Sequence, residues 1–238
     1  MTVHFIAQRK GGVGKTLVSS MIAEYALRAG PTMVIDMDPK NGSISEFKEL
    51  KATPVLMNDL VSYQGAGSLL ALITESPSAT SWVVDTAGES FDALLTYLSG
   101  NGIRDILTEA GHEMFIHIVV SGGASLAASG NSLGDVYEKI GPDSLVVWRN
   151  DFFGPVVDDA LVMKISRDAR GVVDLVLADN ASVVDAVKTK YNSRHLLGDK
   201  CKKAMGLMPY NRIVRFYNGV IEQLDEISHA PQPKGPNK

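Results

Sequence analysis

Residues 10–16 read KGGVGKT, directly after the apolar run VHFIA (3–7) and at the head of the helix-spaced run KTLVSSMIAEYALRAG (15–30). Few strings leave a chain fewer options. Glycines let successive backbone N–H groups turn inward on an anion with no Cβ in the way. A helix that starts as the turn ends adds the partial positive charge of its N-terminus. Strand, glycine turn and helix in that order make a phosphate-binding loop, with Gly11, Gly12, Val13, Gly14, Lys15, Thr16 and Leu17 as its nucleotide contacts. Lys15 reaches the β- and γ-phosphates and Thr16 holds Mg²⁺. The ordinary loop opens with a glycine at position 9, where this chain has Arg9, and carries one lysine where this chain has Lys10 and Lys15.

Five further Val- and Ile-rich runs read as buried strands: 32–36, 81–85, 114–121, 144–150 and 172–178. Between them, 88–102 and 123–141 have helical spacing, as does 15–30. Strands alternating with helices predict an α/β P-loop NTPase fold: a mostly parallel central sheet with helices on both faces. One domain is expected over 1–228. The tail 229–238, HAPQPKGPNK, has three prolines among polar residues and reads as disordered. In a parallel sheet, ligands gather beyond the carboxyl ends of the strands, and there the polar motifs fall: RKGGVGKT, DMDPKNG, DTAGES, SGG and RND. Asp85, after an apolar run, is placed to hold a Mg²⁺-bound water, and Gly88 to let its backbone N–H approach the γ-phosphate. The guanine-reading NKxD string is absent, which favours ATP.

The two-lysine loop resembles that of the ParA/MinD superfamily of P-loop ATPases, whose signature is KGGxGK[ST]. The resemblance implies that Lys10 crosses a dimer interface to the phosphates held by the other subunit, so that ATP is sandwiched in a homodimer. It implies that Asp38 of DMDPKNG positions the attacking water and that Asp36 supports the magnesium shell. Lys40 stands where that family has glutamine, and the following NG reverses its GN. Asn150 is the implied adenine contact, with Asp179 a second candidate for the same pocket. The strings EAGHEMFIHIVVSGGASL, SLVVWRNDFFGP and RIVRFYNGVIEQLDEI resemble the TraL/MobD-type ATPases of plasmid conjugation and mobilisation regions, which implies plasmid transfer or stable plasmid maintenance as the setting.

Composition removes other classes. A single cysteine, Cys201, excludes an internal disulfide and any cysteine-built zinc or iron–sulfur site. MTVHFIAQRKGG lacks a signal-peptide pattern, and no apolar run approaches the ~18 residues of a spanning helix, so a cytoplasmic location is expected. In GHEMFIH the second histidine, His117, comes one residue too late for zincin spacing. Ile213, Tyr217, Val220, Leu224 and Ile227 form one helical stripe. The acidic Glu222, Asp225 and Glu226 on that helix favour core packing over docking on anionic lipid.

Residues 1–185 hold 13 basic against 23 acidic side chains, and residues 186–238 hold 10 against 4. A basic segment on an acidic body permits a polyanionic partner. By resemblance, the candidate contacts to duplex plasmid DNA are Lys188, Arg194, Lys200, Lys202, Lys203, Arg212 and Arg215. The leading expectation is an ATP-hydrolysing switch, slow and partner-stimulated, with plasmid transfer or partition proteins as further partners and no stable membrane insertion. Two alternatives stand beside it: an ATP-dependent docking module for transfer proteins without DNA binding, and a metabolic ATP-dependent ligase on the same fold.

Overall fold

The computed structural model describes residues 1–38, 44–55, 66–76, 80–100, 102–156, 159–177 and 180–229. Its sheet has seven strands: β1 (Thr2–Ala7), β2 (Thr32–Asp36), β3 (Thr53–Pro54), β4 (Ser81–Asp85), β5 (Glu113–Ser121), β6 (Leu145–Asn150) and β7 (Gly171–Leu175). They run in the order β3-β2-β4-β1-β5-β6-β7, and the β1/β4, β2/β4, β2/β3 and β6/β7 pairs are parallel. Inner strands are buried without alternation: Val3–Ala7 of β1, all of β4 and Met114–Ser121 of β5. Such runs belong to strands covered on both faces. The two edges read differently. β3 is two exposed residues ending in Pro54, which has no N–H to offer a further strand, and β7 alternates.

The expected strands are all present, with ends shifted by a residue or two, except that β7 stops at Leu175. Beyond it the Leu177 N–H leaves the ladder and donates to Asp151 Oδ1 at 2.6 Å. The edge strand β3 has no signal in the sequence because two residues carry no period. Helices α1 (Lys15–Ala29), α2 (Ala66–Glu75), α3 (Phe91–Ser99), α4 (Ile103–Glu109), α5 (Leu126–Ile140), α6 (Ala160–Asp168), α7 (Ala181–Ser193), α8 (Asp199–Met205) and α9 (Leu207–His229) complete the described residues. Expected helix 88–102 is a 3₁₀ turn at Gly88–Ser90 followed by α3, and 123–141 is a 3₁₀ turn at Gly123–Ser125 followed by α5. Of the five helices that apolar spacing does not mark, two have side-chain caps at their N-termini. Asp159 accepts from the Leu161 and Val162 N–H groups, and Asn180 from the Val183 N–H.

Two compact units divide the chain: Met1–Gly11 with Lys15–Ile116, and Gly12–Gly14 with His117 onward. In the first, α1 packs on β1, β2 and β4. Its buried residues mix small side chains (Ser19, Ser20, Ala23, Ala26) with Val18, Met21 and Ile22. In the second, α9 packs on β7, α7 and α8. Its stripe of Ile213, Tyr217, Val220, Leu224 and Ile227 is buried, which settles that face as core. Among the described residues no helix is long and apolar enough to cross a membrane. His117 lies inside β5, where its Nδ1 accepts from Trp148 Nε1 at 2.9 Å. Of the tail predicted to be disordered, 230–238 lie outside the described residues.

Candidate functional site

In the first unit, the acidic residues gather at the carboxyl ends of the strands. Asp36 and Asp85 are opposite one another in the β2/β4 register, and Asp85 is 1% exposed. Its Oδ1 accepts from Ser19 Oγ at 2.8 Å, and Ser19 sits one turn along α1 from Lys15. Its Oδ2 is buried, and the Thr16 hydroxyl is a further polar group beside the carboxylate. Burial pushes the Asp85 carboxyl up to about 6. The Lys15 charge and the Ser19 and Thr16 hydroxyls work against that rise, while Asp36 adds to it. A buried carboxylate with one lysine nearby and two hydroxyls beside it is a place that gains from a cation.

Asp36 is fully buried and its oxygens are engaged by the protein. Oδ1 accepts from the Asp38 N–H at 2.9 Å, and Oδ2 accepts from the Ser45 N–H at 3.3 Å and in a close contact from the Ser45 hydroxyl. Its visible work is to hold both ends of the segment that carries Asp38, itself half-buried. Lys40 lies outside the described residues.

The phosphate loop has the backbone its glycines foretell. Gly12 and Gly14 have φ of +76° and +103°, the left-handed region that a side chain disfavours, and open space faces Gly11 and Gly12 where a Cβ would project. Lys10, Gly11 and Gly12 are exposed, and Lys15, Thr16 and Leu17 are half-buried at the start of α1. Gly88, in the turn after β4, meets a different demand: a Cβ there would lie 2.8 Å from the Arg9 carbonyl oxygen.

In the second unit, Val13 is buried and its carbonyl accepts from Asn150 Nδ2 at 2.9 Å. Asn150 Oδ1 accepts from the Phe152 N–H at 3.1 Å, and the Asn150 carbonyl accepts from the Gly122 N–H at 3.1 Å. The side chain expected to meet adenine thus braces the loop to the turn after β6, and the Asn150 backbone carbonyl holds the turn after β5. Asp179 lies outside the described residues.

These residues fit a magnesium-bound nucleotide. Open space faces Gly11 and Gly12, a fifteen-residue helix starts at Lys15, and the buried Asp85 carboxylate adjoins Thr16. Among the described residues no three His, Cys, Asp or Glu side chains gather as a metal cage.

The basic candidates, all in the second unit, divide by exposure. Lys188, Lys200, Lys202, Lys203, Arg212 and Arg215 are exposed, and Arg194 is half-buried with its guanidinium 4.0 Å from the Tyr191 ring centre. Lys188 has its Nζ 5.3 Å from the Phe152 ring centre. Lys190, in the midst of that run, is fully buried with Nζ 4.9 Å from the Tyr217 ring centre, so one of the eight basic residues between 188 and 215 faces the core. Four contributors had escaped the sequence reading: Gln8, Arg9, Ser19 and Ser45. Ser19 alone carried a signal, its spacing of four from Lys15 on a helix.

No protein-family model matches the chain. Among solved structures it is similar to MinD, the cell division protein of Aquifex aeolicus (TM-score 0.53, 15% identity, 98% of this chain and 99% of that one). It is likewise similar to the MinC:MinD cell division protein complex of the same organism (TM-score 0.55, 13% identity, 98% of each chain). The fold is that of the MinD-like P-loop proteins. In sequence the chain is similar to Protein TraL of Escherichia coli, at 33% identity to one form and 29% to another, each over 158 residues. Those alignments span 65% of this chain and 65% of each relative, just under two thirds of either.

Proposed function

We propose that the chain is an ATP-binding switch that hydrolyses ATP slowly, forms an ATP-sandwiched homodimer and acts in plasmid conjugal transfer or stable plasmid maintenance. The observation that carries the reading is the buried Asp85 next to Thr16 and Lys15 at the start of the helix that follows the glycine loop. Lys15 neutralises charge on the phosphates of its own nucleotide. Thr16 and Asp85 hold Mg²⁺, which when bound supplies further charge neutralisation there. Lys10 acts on the partner's nucleotide, a cation brought from outside in the manner of an arginine finger. Asp38 orients the attacking water, and the bonds from Asp36 to Asp38 and Ser45 hold it ready for that task. Asn150 is the adenine contact in this reading, with Asp179 the second candidate that the sequence offers. The relation to TraL supports the plasmid-transfer setting, and the exposed lysines and arginines of α7–α9 support duplex DNA as a partner gripped through its phosphates.

ATP turnover at low salt, with and without duplex DNA, tests this. Turnover that rises with DNA and vanishes in Lys15→Ala is the expected result. Turnover that Lys15→Ala leaves intact would overturn the assignment of the site. A DNA-insensitive but Lys15-dependent turnover would replace DNA by a protein partner, the docking reading.

A further inference from the structure

Arg9 stands where the ordinary phosphate loop has its first glycine, and the structure gives its side chain a definite seat. The guanidinium grips Asp92 with two nitrogens, Nη2 to Oδ1 at 2.6 Å and Nε to Oδ2 at 3.3 Å, and its Cζ lies 4.7 Å from the centre of the Phe91 ring. Phe91 is buried and opens α3, and Asp92 is in the first turn of that helix. The backbone follows the side chain, since the Arg9 carbonyl touches the turn at Gly88. One residue on, the Lys10 N–H donates at 3.1 Å to Oε1 of Gln8, a side chain that is fully buried. The exposed Lys10 therefore springs from a backbone held at the two residues before it: through the buried Gln8 side chain, and through an arginine fork clipped to the helix that follows Asp85. A planar fork stacked on an aromatic ring sets direction as well as distance, which a lone ammonium does not.

We infer that Arg9, through Asp92 and Phe91, is a positioning residue that aims Lys10 and ties its place to the turn at Gly88. This rests on the proposed role of Lys10 across the dimer. A lysine that must cross to another subunit reaches its mark through a long flexible stem, so the rate depends on how well the base of that stem is held.

The test uses the full-length chain in the variants Arg9→Ala, Arg9→Lys, Asp92→Ala, Lys10→Ala, Arg9→Ala/Lys10→Ala and the exchange Arg9→Asp/Asp92→Arg. In Arg9→Ala, turnover is expected to fall roughly tenfold, while the affinity for a fluorescent ATP analogue stays within about twofold. Arg9→Lys should resemble Arg9→Ala because it loses the fork. The exchange should recover most of the rate, and Arg9→Ala should add nothing on the Lys10→Ala background. A spin label at Lys10→Cys should gain mobility when Arg9 or Asp92 is removed.

Four results would overturn the inference: an equal further loss on the Lys10→Ala background, a label indifferent to Arg9→Ala, a loss of nucleotide affinity like that of Lys15→Ala, or a full rate in Arg9→Ala. The two readings separate cleanly. If Lys10→Ala keeps full turnover and ATP-driven dimerisation, the role of Lys10 falls and takes the clamp with it. If Lys10→Ala loses both while Arg9→Ala loses neither, only the clamp falls.

Discussion

At the scale of single residues, several of the buried polar groups are arranged around a charge state. Asp85 and His4 show how burial acts in opposite directions. For Asp85 it favours the neutral acid. For His4, stacked on Phe115 at 5.4 Å with Nε2 2.9 Å from Thr2 Oγ1, burial lowers the imidazole to about 4. The folded protein then binds fewer protons at His4 than the unfolded chain between pH 4 and 6.5. Stability from this group is present above pH 6.5 and is lost as pH falls toward 4. The full swing is on the order of 3 kcal/mol. Asp85 slopes the other way between pH 4 and 6, so the informative quantity is a difference. His4→Phe should be gained on by wild type as pH rises from 4 to 6.5, in urea melts followed by circular dichroism, and parallel curves would refute the assignment. The sequence named Lys15, Thr16 and Asp85 from spacing alone. It could not name Ser45, nine positions from Asp36, because no period links a strand end to a residue that far along the chain.

Elements show the same division. The strands were legible because a parallel sheet covered on both faces demands continuous apolar runs, and α1 because its glycine loop and apolar spacing agree. Helices α7 and α8 were not, because α7 shows its buried residues only over a short stretch and α8 is a seven-residue helix anchored by Cys201 and Met205. The last helix offers a direct test of how it is seated. A Cβ at Gly171, the first residue of β7, would come within 2.3 Å of Ile227 Cγ1 and 2.6 Å of its Cδ1. Gly171→Ala should therefore destabilise by about 1–3 kcal/mol through overpacking. Added to Ile227→Ala, which empties that space, it should cost little or nothing more. Denaturant melts of the two single variants and the double variant measure this, and strictly additive losses would rule out the contact.

For the whole molecule, the consequential property is charge distribution. The acidic excess in residues 1–185 and the exposed cations of α7–α9 predict DNA binding that depends on both nucleotide and salt. With ATP bound, the affinity for duplex should fall along a straight line in log salt, by about 0.9 per phosphate contact. Replacing Lys200, Lys202 and Lys203 with glutamate should flatten that line and weaken binding to all sequences alike. Lys190→Glu belongs to a different category, since that side chain is buried, and its effect should appear in thermal melts. Salt-independent binding in fluorescence anisotropy, or none at low salt with ATP, would remove DNA from the list of partners.

The amino-acid sequence by itself determined the class of fold, the phosphate loop and the acidic strand ends. Each depends on a local rule: the backbone freedom of glycine, the apolar continuity of a buried strand, or the position of a carboxylate just past it. Only the tertiary structure decided what the polar side chains near that loop do. Asn150 meets Val13 across 137 positions of chain, Arg9 meets Asp92 across 83 and Ser19 meets Asp85 across 66. Such pairs follow from the order of strands in the sheet, which no local pattern contains. The same holds for Lys190, basic in the sequence like its neighbours, which the packing of α7 against α9 buries over Tyr217.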